Sequence, residues 1–202
     1  MSPLLPPPDT EVSALIERAL VEDLGRGGDI TSNAVIARSA VGRAEIVARA
    51  SGTVAGLDIA ARVFRRVDGE LRVEPLVDDG ARVEAGTVLA RVSGPIRSLL
   101  TAERTALNVL GHLSGVATQV AAVVGSIADT GVRVADTRKT TPGIRALEKY
   151  AVRCGGGTNH RFGLDDAVMI KDNHVAATGS IAEAVRVARG AVGHVVAIEV
   201  EV

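Results

Sequence analysis

The C-terminal third of the sequence alternates between short apolar segments and helical segments, and this alternation restricts the fold more than any other feature. The spacing predicts strands over 132–135, 167–170 and 195–202, with helices over 141–153 and 180–189. The order β-α-β-α-β is typical of parallel strands joined by crossover helices. This part of the chain is therefore predicted to have an α/β fold.

Two architectures are compatible with that order, an open doubly wound sheet and a (β/α) barrel. An open nucleotide-binding sheet normally has G-x-G-x-x-G after its first strand. Here residues 136–143 read DTRKTTPG, and the P-loop pattern is also absent from the sequence, so the barrel is favoured. Because a barrel needs about eight strands and this chain ends on the third, we expect an incomplete barrel, truncated after about three strands.

The N-terminal half follows a different pattern, with strands predicted over 43–50, 71–77 and 87–94 and helices over 12–24 and 57–67. This pattern predicts an α+β, sandwich-like domain. A long apolar helical stretch follows Pro95, and we expect it to break near Gly111 and Gly115 before it ends near residue 128. We place an N-terminal α/β domain at 1–110 and the first part of the barrel domain at 111–202.

Composition excludes several classes of protein. A net charge of −1 and three aromatic residues argue against nucleic acid as a partner. The sequence has no run of about 18 apolar residues and no signal-peptide pattern at its start, so neither a membrane span nor secretion is expected. The single cysteine, Cys154, rules out a disulfide framework and favours the cytoplasm. With no second cysteine it is expected to be a small core residue and not a zinc ligand.

Positive charge is concentrated in residues 138–171, which hold seven basic and three acidic residues, including all three lysines of the chain. A cationic segment in a nearly neutral chain indicates an anionic small molecule as partner. Within it, Arg145, Lys149 and Arg153 are interpreted as a solvated helix face. Gly155–Gly157 could cradle a phosphate or act as a hinge. His112 and His194 lack any such context and are predicted to be structural.

Charged side chains follow the predicted strands at their carboxyl ends, where barrel enzymes place their chemistry. The first strand leads into Arg138 and Lys139, the second leads into Lys171, and the third carries Glu199 and Glu201 on one face. A loop presents His160 and Arg161 between them. Arginine and lysine together favour a ligand with several anionic groups. The two glutamates could hold Mg²⁺, and only one of them need be functional.

Three segments of the chain are distinctive, TAERTALNVLGHLSG (101–115), DTRKTTPGIRALEKYAVRCGGGTNHRFGL (136–164) and IKDNHV (170–175). They resemble the quinolinate phosphoribosyltransferase family, also called nicotinate-nucleotide pyrophosphorylase (carboxylating). EDLGRGGDITS (22–32) and GTVAGLDIA (52–60) are similar to the N-terminal domain of that family. The resemblance runs from about residue 12 to the end of the chain. It implies an N-terminal α/β domain, an incomplete α/β barrel, and a homodimer or higher oligomer.

The resemblance also implies an activity and roles for single residues. The family transfers the phosphoribosyl group of phosphoribosyl pyrophosphate to quinolinate with Mg²⁺, releasing pyrophosphate and CO₂ and forming nicotinate mononucleotide for NAD synthesis. Arg138, His160, Arg161 and Lys171 would hold the quinolinate carboxylates, and Arg104 would reach the site from the neighbouring subunit. Lys139 would contact the phosphoribosyl substrate, and Glu201 the ribose and the metal. The family's chains continue well past residue 202, and a second metal-region acid and phosphate-binding loops lie there.

Three alternatives remain. A related phosphoribosyltransferase-like protein with another acceptor would share the fold, and binding of quinolinate against nicotinate would separate the two. The segment VDDGARVEAGTVLARV (77–92) has the spacing of biotinyl and lipoyl carrier domains, but no lysine that could be modified occurs before Lys139. The third alternative is an inactive fragment that depends on oligomerisation, because the apolar stretch 105–124 exceeds what one helix needs to bury.

Overall fold

The computed structural model describes residues 4–202, which form two compact units. Unit 1 comprises the described residues up to 136 together with 140–159, and unit 2 comprises 137–139 and 160–202. The domain boundary expected at residue 110 lies inside a helix of unit 1 and stays a prediction.

Unit 1 begins with two helices and contains an antiparallel sheet in which the last strand in sequence lies at the centre. Helices α1 (Asp9–Leu24) and α2 (Ile30–Val35) precede strand β1 (Val41–Val47). Strand β5 (Val88–Pro95) pairs with β1 on one side and with β3 (Arg72–Pro75) on the other. The three predicted strands of this region are thus confirmed, each within a few residues. A second, two-stranded sheet pairs β2 (Gly52–Thr53) with β4 (Arg82–Val83).

Helix α3 (Leu57–Val67) has the predicted bounds, and its start is held by a carboxylate. The backbone N–H groups of Gly56 and Leu57 donate to the two carboxylate oxygens of Asp79, at 2.9 and 3.0 Å. A helix leaves its first N–H groups without partners, so this carboxylate satisfies two of them and complements the helix dipole. The same helix buries one apolar face in the core, at Leu57, Ile59, Ala60, Val63 and Phe64.

Helix α4 (Ile96–Ser126) runs unbroken for 31 residues, so the break expected at Gly111 and Gly115 is wrong. Both glycines lie on its exposed face, where a glycine costs the helix only about 1 kcal/mol. Burial of Leu110, Leu113 and Ala117 on the opposite face outweighs that cost. By length and composition α4 could cross a membrane, and it is the one helix of residues 4–202 of which this holds. A search for uninterrupted apolar runs does not find this helix, because polar residues such as Glu103 and Arg104 interrupt it.

Helix α5 (Arg145–Cys154) begins four residues later than predicted. Gly143 has φ +84°, a left-handed conformation that ends any helix begun at Thr141. Cys154 is a free, buried residue at the end of α5, as expected. The next residue, Gly155, passes so close to α4 that a Cβ there would collide with the carbonyl oxygen of Ala117 and lie 2.8 Å from Cβ of Val120.

The close approach gives the glycine segment a packing role. A Cβ at Gly157 would lie 2.7 Å from Cγ1 of Val152 and 3.0 Å from Cγ1 of Val120. Gly155 and Gly157 therefore allow the chain after α5 to pack against α4, a reading that the sequence analysis did not include.

Unit 2 contains a parallel pair of strands, β6 (Val168–Ile170) and β7 (Ile198–Val200), joined through two helices. Helix α7 (Ile181–Ala191) begins after Ser180, whose side chain accepts the backbone N–H of Glu183 at 3.2 Å. Helix α6 (Asp172–Thr178) was not predicted. His174 stabilises its first turn, because its Nδ1 accepts the backbone N–H of Lys171 at 2.9 Å.

The strand predicted over 132–135 is wrong, since that segment forms a single parallel bridge, from Ala135 to Thr158. Val132 is two-thirds exposed, so the segment lacks the covering layer that a buried strand requires. Within the described residues, β6 and β7 are the paired strands of this part, and they do not close a barrel.

Candidate functional site

Two parallel strands bring a lysine and a glutamate to one edge of unit 2. Ile170 pairs with Val200, so Lys171 and Glu201 both follow the last paired position of their strands. The backbone N–H of Glu201 donates to the carbonyl of Ile170 at 2.9 Å, which extends the pairing by one residue. The Lys171 Nζ then donates to Oε2 of Glu201 at 2.5 Å. The expected meeting of these residues at one rim is thus observed.

A second carboxylate of the same strand pairs with a histidine. Nε2 of His160 is 2.7 Å from Oε2 of Glu199. Glu199 and Glu201 are exposed while Ile198 and Val200 are half-buried, which is the alternation of a strand and places both glutamates on one face. Each glutamate therefore pairs with a different side chain, Glu199 with His160 and Glu201 with Lys171.

Arg138 and Lys139 belong to unit 2 as well, in the short segment 137–139. The hydroxyl of Thr137 accepts the backbone N–H of Lys139 at 3.0 Å, which fixes a tight turn. The Nε of Arg138 is buried and has no hydrogen-bond partner within the described part of the chain. A buried polar group without a partner costs about 1–3 kcal/mol, so an anionic ligand that accepts this N–H would recover that energy. Lys139 is exposed.

Arg161 makes a structural hydrogen bond. Its Nη1 donates to the carbonyl of Ala167 at 2.8 Å, across the loop that leads into β6. The carboxylate of Asp166 accepts the backbone N–H of Phe162 at 2.7 Å in the same loop. A guanidinium has five N–H donors, so Arg161 can hold this loop and still bind an anion.

Arg104 lies in unit 1, on the exposed face of α4, whereas its neighbours Ala102 and Thr105 are buried. Its assignment as a residue contributed across a subunit interface stays a prediction.

The oxygen donors of this unit fit a metal ion that is shared with a substrate. No cluster of three or more histidine, cysteine, aspartate or glutamate side chains that could hold a metal occurs in residues 4–202. Mg²⁺ is commonly bound by one or two carboxylates, with waters and substrate phosphates completing its coordination. Glu199 and Glu201 supply two carboxylates on one strand face, which matches that donor set.

Unit 1 contains a buried polar cluster that was not predicted. Lys149 is 2% exposed, so its assignment to a solvated helix face is wrong. Its Nζ lies 2.5 Å from Oδ1 of Asp136, whose side chain is also buried. The spacing of the apolar residues indicates that position 149 is buried, because it lies three residues after Ala146 and three before Val152, both of which are buried.

The two arginines of α5 are not purely solvated either. Arg145 Nε donates to Oγ1 of Thr140 at 3.0 Å, and the Arg153 guanidinium donates to the carbonyl of Leu5.

Glu148 on α5 joins two further residues of unit 1. Its Oε2 accepts the backbone N–H of Thr141 at 3.0 Å, and its Oε1 lies 2.9 Å from Nε2 of His112. Burial raises the pKa of the Glu148 carboxyl, but the hydrogen bonds from Thr141 and His112 outweigh burial, and the pKa lies below its ordinary value.

Comparison with known proteins identifies the family. A model of the N-terminal domain of quinolinate phosphoribosyl transferase matches residues 29–114, and a model of its C-terminal domain matches residues 116–202. The chain belongs to the quinolinate phosphoribosyltransferase family. The carrier-domain alternative for residues 77–92 is thereby set aside.

Relatives of similar sequence carry names from the same family. A protein of Synechocystis, named as a probable nicotinate-nucleotide pyrophosphorylase (carboxylating), is 47% identical over 195 residues, which are 96% of this chain and 65% of that protein. A Mycobacterium leprae protein with the corresponding name is 50% identical over 178 residues, 87% of this chain and 63% of its own length. The chain thus spans somewhat less than two thirds of these two quinolinate phosphoribosyltransferase relatives.

Solved structures confirm the fold class. The crystal structure of NadC from Streptococcus pyogenes superposes with a TM-score of 0.93 at 43% identity, covering 96% of this chain and 69% of that one. The nicotinate-nucleotide pyrophosphorylase from Francisella tularensis superposes with a TM-score of 0.94 at 39% identity, covering 100% of this chain and 71% of that one. The fold is therefore that of quinolinate phosphoribosyltransferases, an N-terminal α+β part followed by part of the α/β barrel.

Proposed function

We propose that the protein transfers the phosphoribosyl group of phosphoribosyl pyrophosphate to quinolinate and releases CO₂, giving nicotinate mononucleotide and pyrophosphate for NAD biosynthesis. The observation that carries the proposal is the paired arrangement of Lys171 with Glu201 and of His160 with Glu199 along one edge of unit 2. Membership of the quinolinate phosphoribosyltransferase family supports this reaction over other transfers to an anionic acceptor.

The acceptor is a dianion, and the proposed site offers it four cationic or potentially cationic groups. Arg138, His160, Arg161 and Lys171 would bind the two carboxylates of quinolinate. In this structure Lys171 and His160 are bound to glutamates, and a dicarboxylate would compete with those glutamates for them. Acceptor binding would then release Glu201 and Glu199 to face the second substrate.

The released carboxylates would meet the ribose as its bond to pyrophosphate breaks. Carbon C1 gains oxocarbenium character at that point, and a nearby carboxylate such as that of Glu201 stabilises the developing positive charge. Lys139, which is exposed on the segment 137–139, would bind the phosphoribosyl substrate and so align C1 with the pyridine nitrogen.

Decarboxylation follows from the new bond. Once the nitrogen is bonded to C1, the ring carries a positive charge and accepts the electron pair that the departing CO₂ leaves on the adjacent carbon. A proton then replaces the carboxylate at that carbon, which gives nicotinate mononucleotide. No covalent bond to the protein is needed, so the proposed residues act by binding and positioning.

Glu201 is proposed to hold Mg²⁺ through its carboxylate oxygens. When bound, Mg²⁺ would neutralise charge on the leaving pyrophosphate. Arg104 is proposed to enter the site of a neighbouring subunit, which makes the active form a homodimer or higher oligomer. A cytoplasmic location is also proposed, supported by the free thiol of Cys154.

Calorimetric titration of the full-length protein tests the acceptor. Quinolinate is expected to bind at least tenfold more tightly than nicotinate, which lacks the second carboxylate. Arg138→Ala should abolish the difference, whereas Arg189→Ala, at an exposed arginine of α7 in the same unit, should not change it. Equal affinity for the two ligands would favour a related transferase with another acceptor.

A further inference from the structure

Helix α5 contacts the residues that immediately flank both site segments of unit 2. The segment 137–139 carries Arg138 and Lys139, and the segment beginning at 160 carries His160 and Arg161. The residues directly before and after the first segment, Asp136 and Thr140, belong to unit 1, as do Asn159, directly before the second segment, and α5. All contacts described next lie within unit 1, and the chain itself passes their effect to the site segments.

The residues that directly precede the two segments, Asp136 and Asn159, are joined through the buried carboxylate of Asp136. Asp136, directly before Thr137, accepts from Lys149 Nζ at 2.5 Å with Oδ1 and from Asn159 Nδ2 at 2.6 Å with Oδ2. Asn159, directly before His160, also donates to the carbonyl of Lys149 at 2.9 Å. The side chains of Lys149 and Asp136 are 3% and 7% exposed, so the pair is shielded from water and has a strong preference for one geometry.

The end of the first segment is held by the same helix. Arg145 donates to the hydroxyl of Thr140, and Glu148 accepts the backbone N–H of Thr141, each at 3.0 Å. Three charged side chains in the first five residues of α5 thus fix the chain on both sides of the segment 137–139. While these bonds are intact, the residues before and after the segment 137–139 cannot move independently of each other.

We propose that Lys149 is a positioning residue of the acceptor site, acting through Asp136 and Asn159, and that Arg145 supports it through Thr140. The inference rests on the proposed function, because it takes Arg138 and His160 as binding residues. Displacing catalytic or binding groups by about 1 Å can lower a rate by about a hundredfold. The buried pair therefore sets substrate affinity in addition to contributing to stability.

The test separates positioning from stability by removing both charges of the pair. Lys149→Met alone leaves a buried carboxylate without its cation and is expected to lower the melting temperature. The double variant Lys149→Met with Asp136→Asn has no buried charge and should recover much of that loss. In the full-length protein we expect the double variant to bind quinolinate at least tenfold more weakly than the wild type. Arg153→Met, a change of a cation on the same helix that donates to Leu5, should bind within twofold of the wild type.

Arg145→Met provides a second variant that leaves both charges of the Lys149–Asp136 pair in place, and its affinity for quinolinate should fall at least threefold. A double variant and an Arg145→Met variant that both bind quinolinate like the wild type would overturn the inference. Hydrogen exchange provides a readout that needs no substrate. The amides of residues 137–139 and 160–161 should exchange faster in the double variant than in Arg153→Met. If the wild type does not bind quinolinate, the proposed function fails, while unchanged exchange in the double variant would refute the positioning role separately.

Discussion

The Nζ atom of Lys171 lies 2.5 Å from Oε2 of Glu201, although the two residues are 30 positions apart in the chain. Parallel pairing of β6 with β7 brings them together, because each residue directly follows its strand. An ammonium and a carboxylate that can exchange partners with a charged substrate thus lie at the same edge. The geometry of the site depends on this register, because a shift of one residue would turn the side chains of the strand to the opposite face of the sheet.

Glu201→Gln should separate activity from stability. The pair is exposed, with side-chain exposures of 41% and 59%, so its loss should change the free energy of unfolding by less than about 1 kcal/mol. The kcat/KM of the full-length protein should fall about a hundredfold, since a group that stabilises developing charge is removed. Steady-state assays and thermal melts measure the two effects. Glu183→Gln removes an exposed ion pair with Arg186 on α7 and should leave kcat/KM unchanged.

Glu199→Gln shows which glutamate faces the ribose and metal. We expect a smaller loss of kcat/KM than for Glu201→Gln. The opposite order would transfer the assigned role to Glu199.

Gly56→Ala should destabilise the protein by about 3 kcal/mol. Gly56 has φ +89°, which costs about 1–2 kcal/mol for a residue with a Cβ, and the added Cβ would lie 2.6 Å from Cδ1 of Leu113. Gly86→Ala is a matched control, because Gly86 has the same φ and no atom within 4 Å of the Cβ position. Urea denaturation should show a loss of only about 1 kcal/mol for the control. Equal losses would mean that the contact with Leu113 relaxes without cost.

Asp79→Asn should cost about 2 kcal/mol, because this carboxylate accepts from Gly56, Leu57 and the hydroxyl of Tyr150. An amide has a single acceptor oxygen and cannot replace both carboxylate oxygens. Burial and the bond to Asp79 raise the pKa of Tyr150 above its ordinary range, so the hydroxyl remains a donor at all moderate pH values. Denaturant unfolding of Asp79→Asn should be compared with that of Asp78→Asn, whose exposed side chain should contribute little. A similar effect of both substitutions would contradict the role of Asp79.

Acid should destabilise the protein partly through Asp29. Hydrogen bonds from the side chain and backbone of Ser32 hold the pKa of Asp29 below its ordinary value, and the carboxylate accepts the Ser32 N–H at 2.9 Å as the cap of α2. A carboxyl whose pKa is lower in the folded than in the unfolded state stabilises the protein at pH values above its unfolded-state pKa, which is about 4 for aspartate. This stabilisation is lost as the pH falls through the pKa of the folded state.

The matching variant is Asp29→Asn, which keeps a good helix cap and should cost less than about 0.5 kcal/mol at pH 7. Unfolding curves between about pH 5 and pH 2 should show a shallower loss of stability in the variant than in the wild type. Asp129→Asn, at an exposed residue, serves as the control. An unchanged acid slope in Asp29→Asn would refute the contribution of Asp29.

Local signals predicted the elements that depend on local chemistry. Helix α3 has the expected bounds because Gly56 precedes it and a strongly one-sided apolar pattern fills it. Helix α4 was predicted with a break because helix propensity counts each glycine equally, whereas burial on the opposite face decides whether the helix continues. The segment 132–135 has the apolar residues of a strand, but a strand also requires partners and a covering layer.

The pattern of the strands predicted correctly that Lys171 and Glu201 meet at one edge, because both residues follow strands that pair in parallel. The buried state of Lys149 was not predicted, since a lysine between apolar positions is usually solvated and its partner Asp136 is 13 residues away. The bond from Arg161 to Ala167 depends on the path of a loop, on which spacing gives no information.

The close approach of Gly155 to Ala117 limits the substitutions that position 155 can accept. Every other amino acid has a Cβ, so any substitution of this residue places an atom against the carbonyl oxygen of Ala117 and beside Val120. Neither neighbour can yield easily, since one is helix backbone and the other is attached directly to it. We therefore expect a saturation library of this gene, selected for folded protein, to retain glycine at position 155. The same selection should accept other residues at positions 111 and 115, where a Cβ would meet no atom within 4 Å.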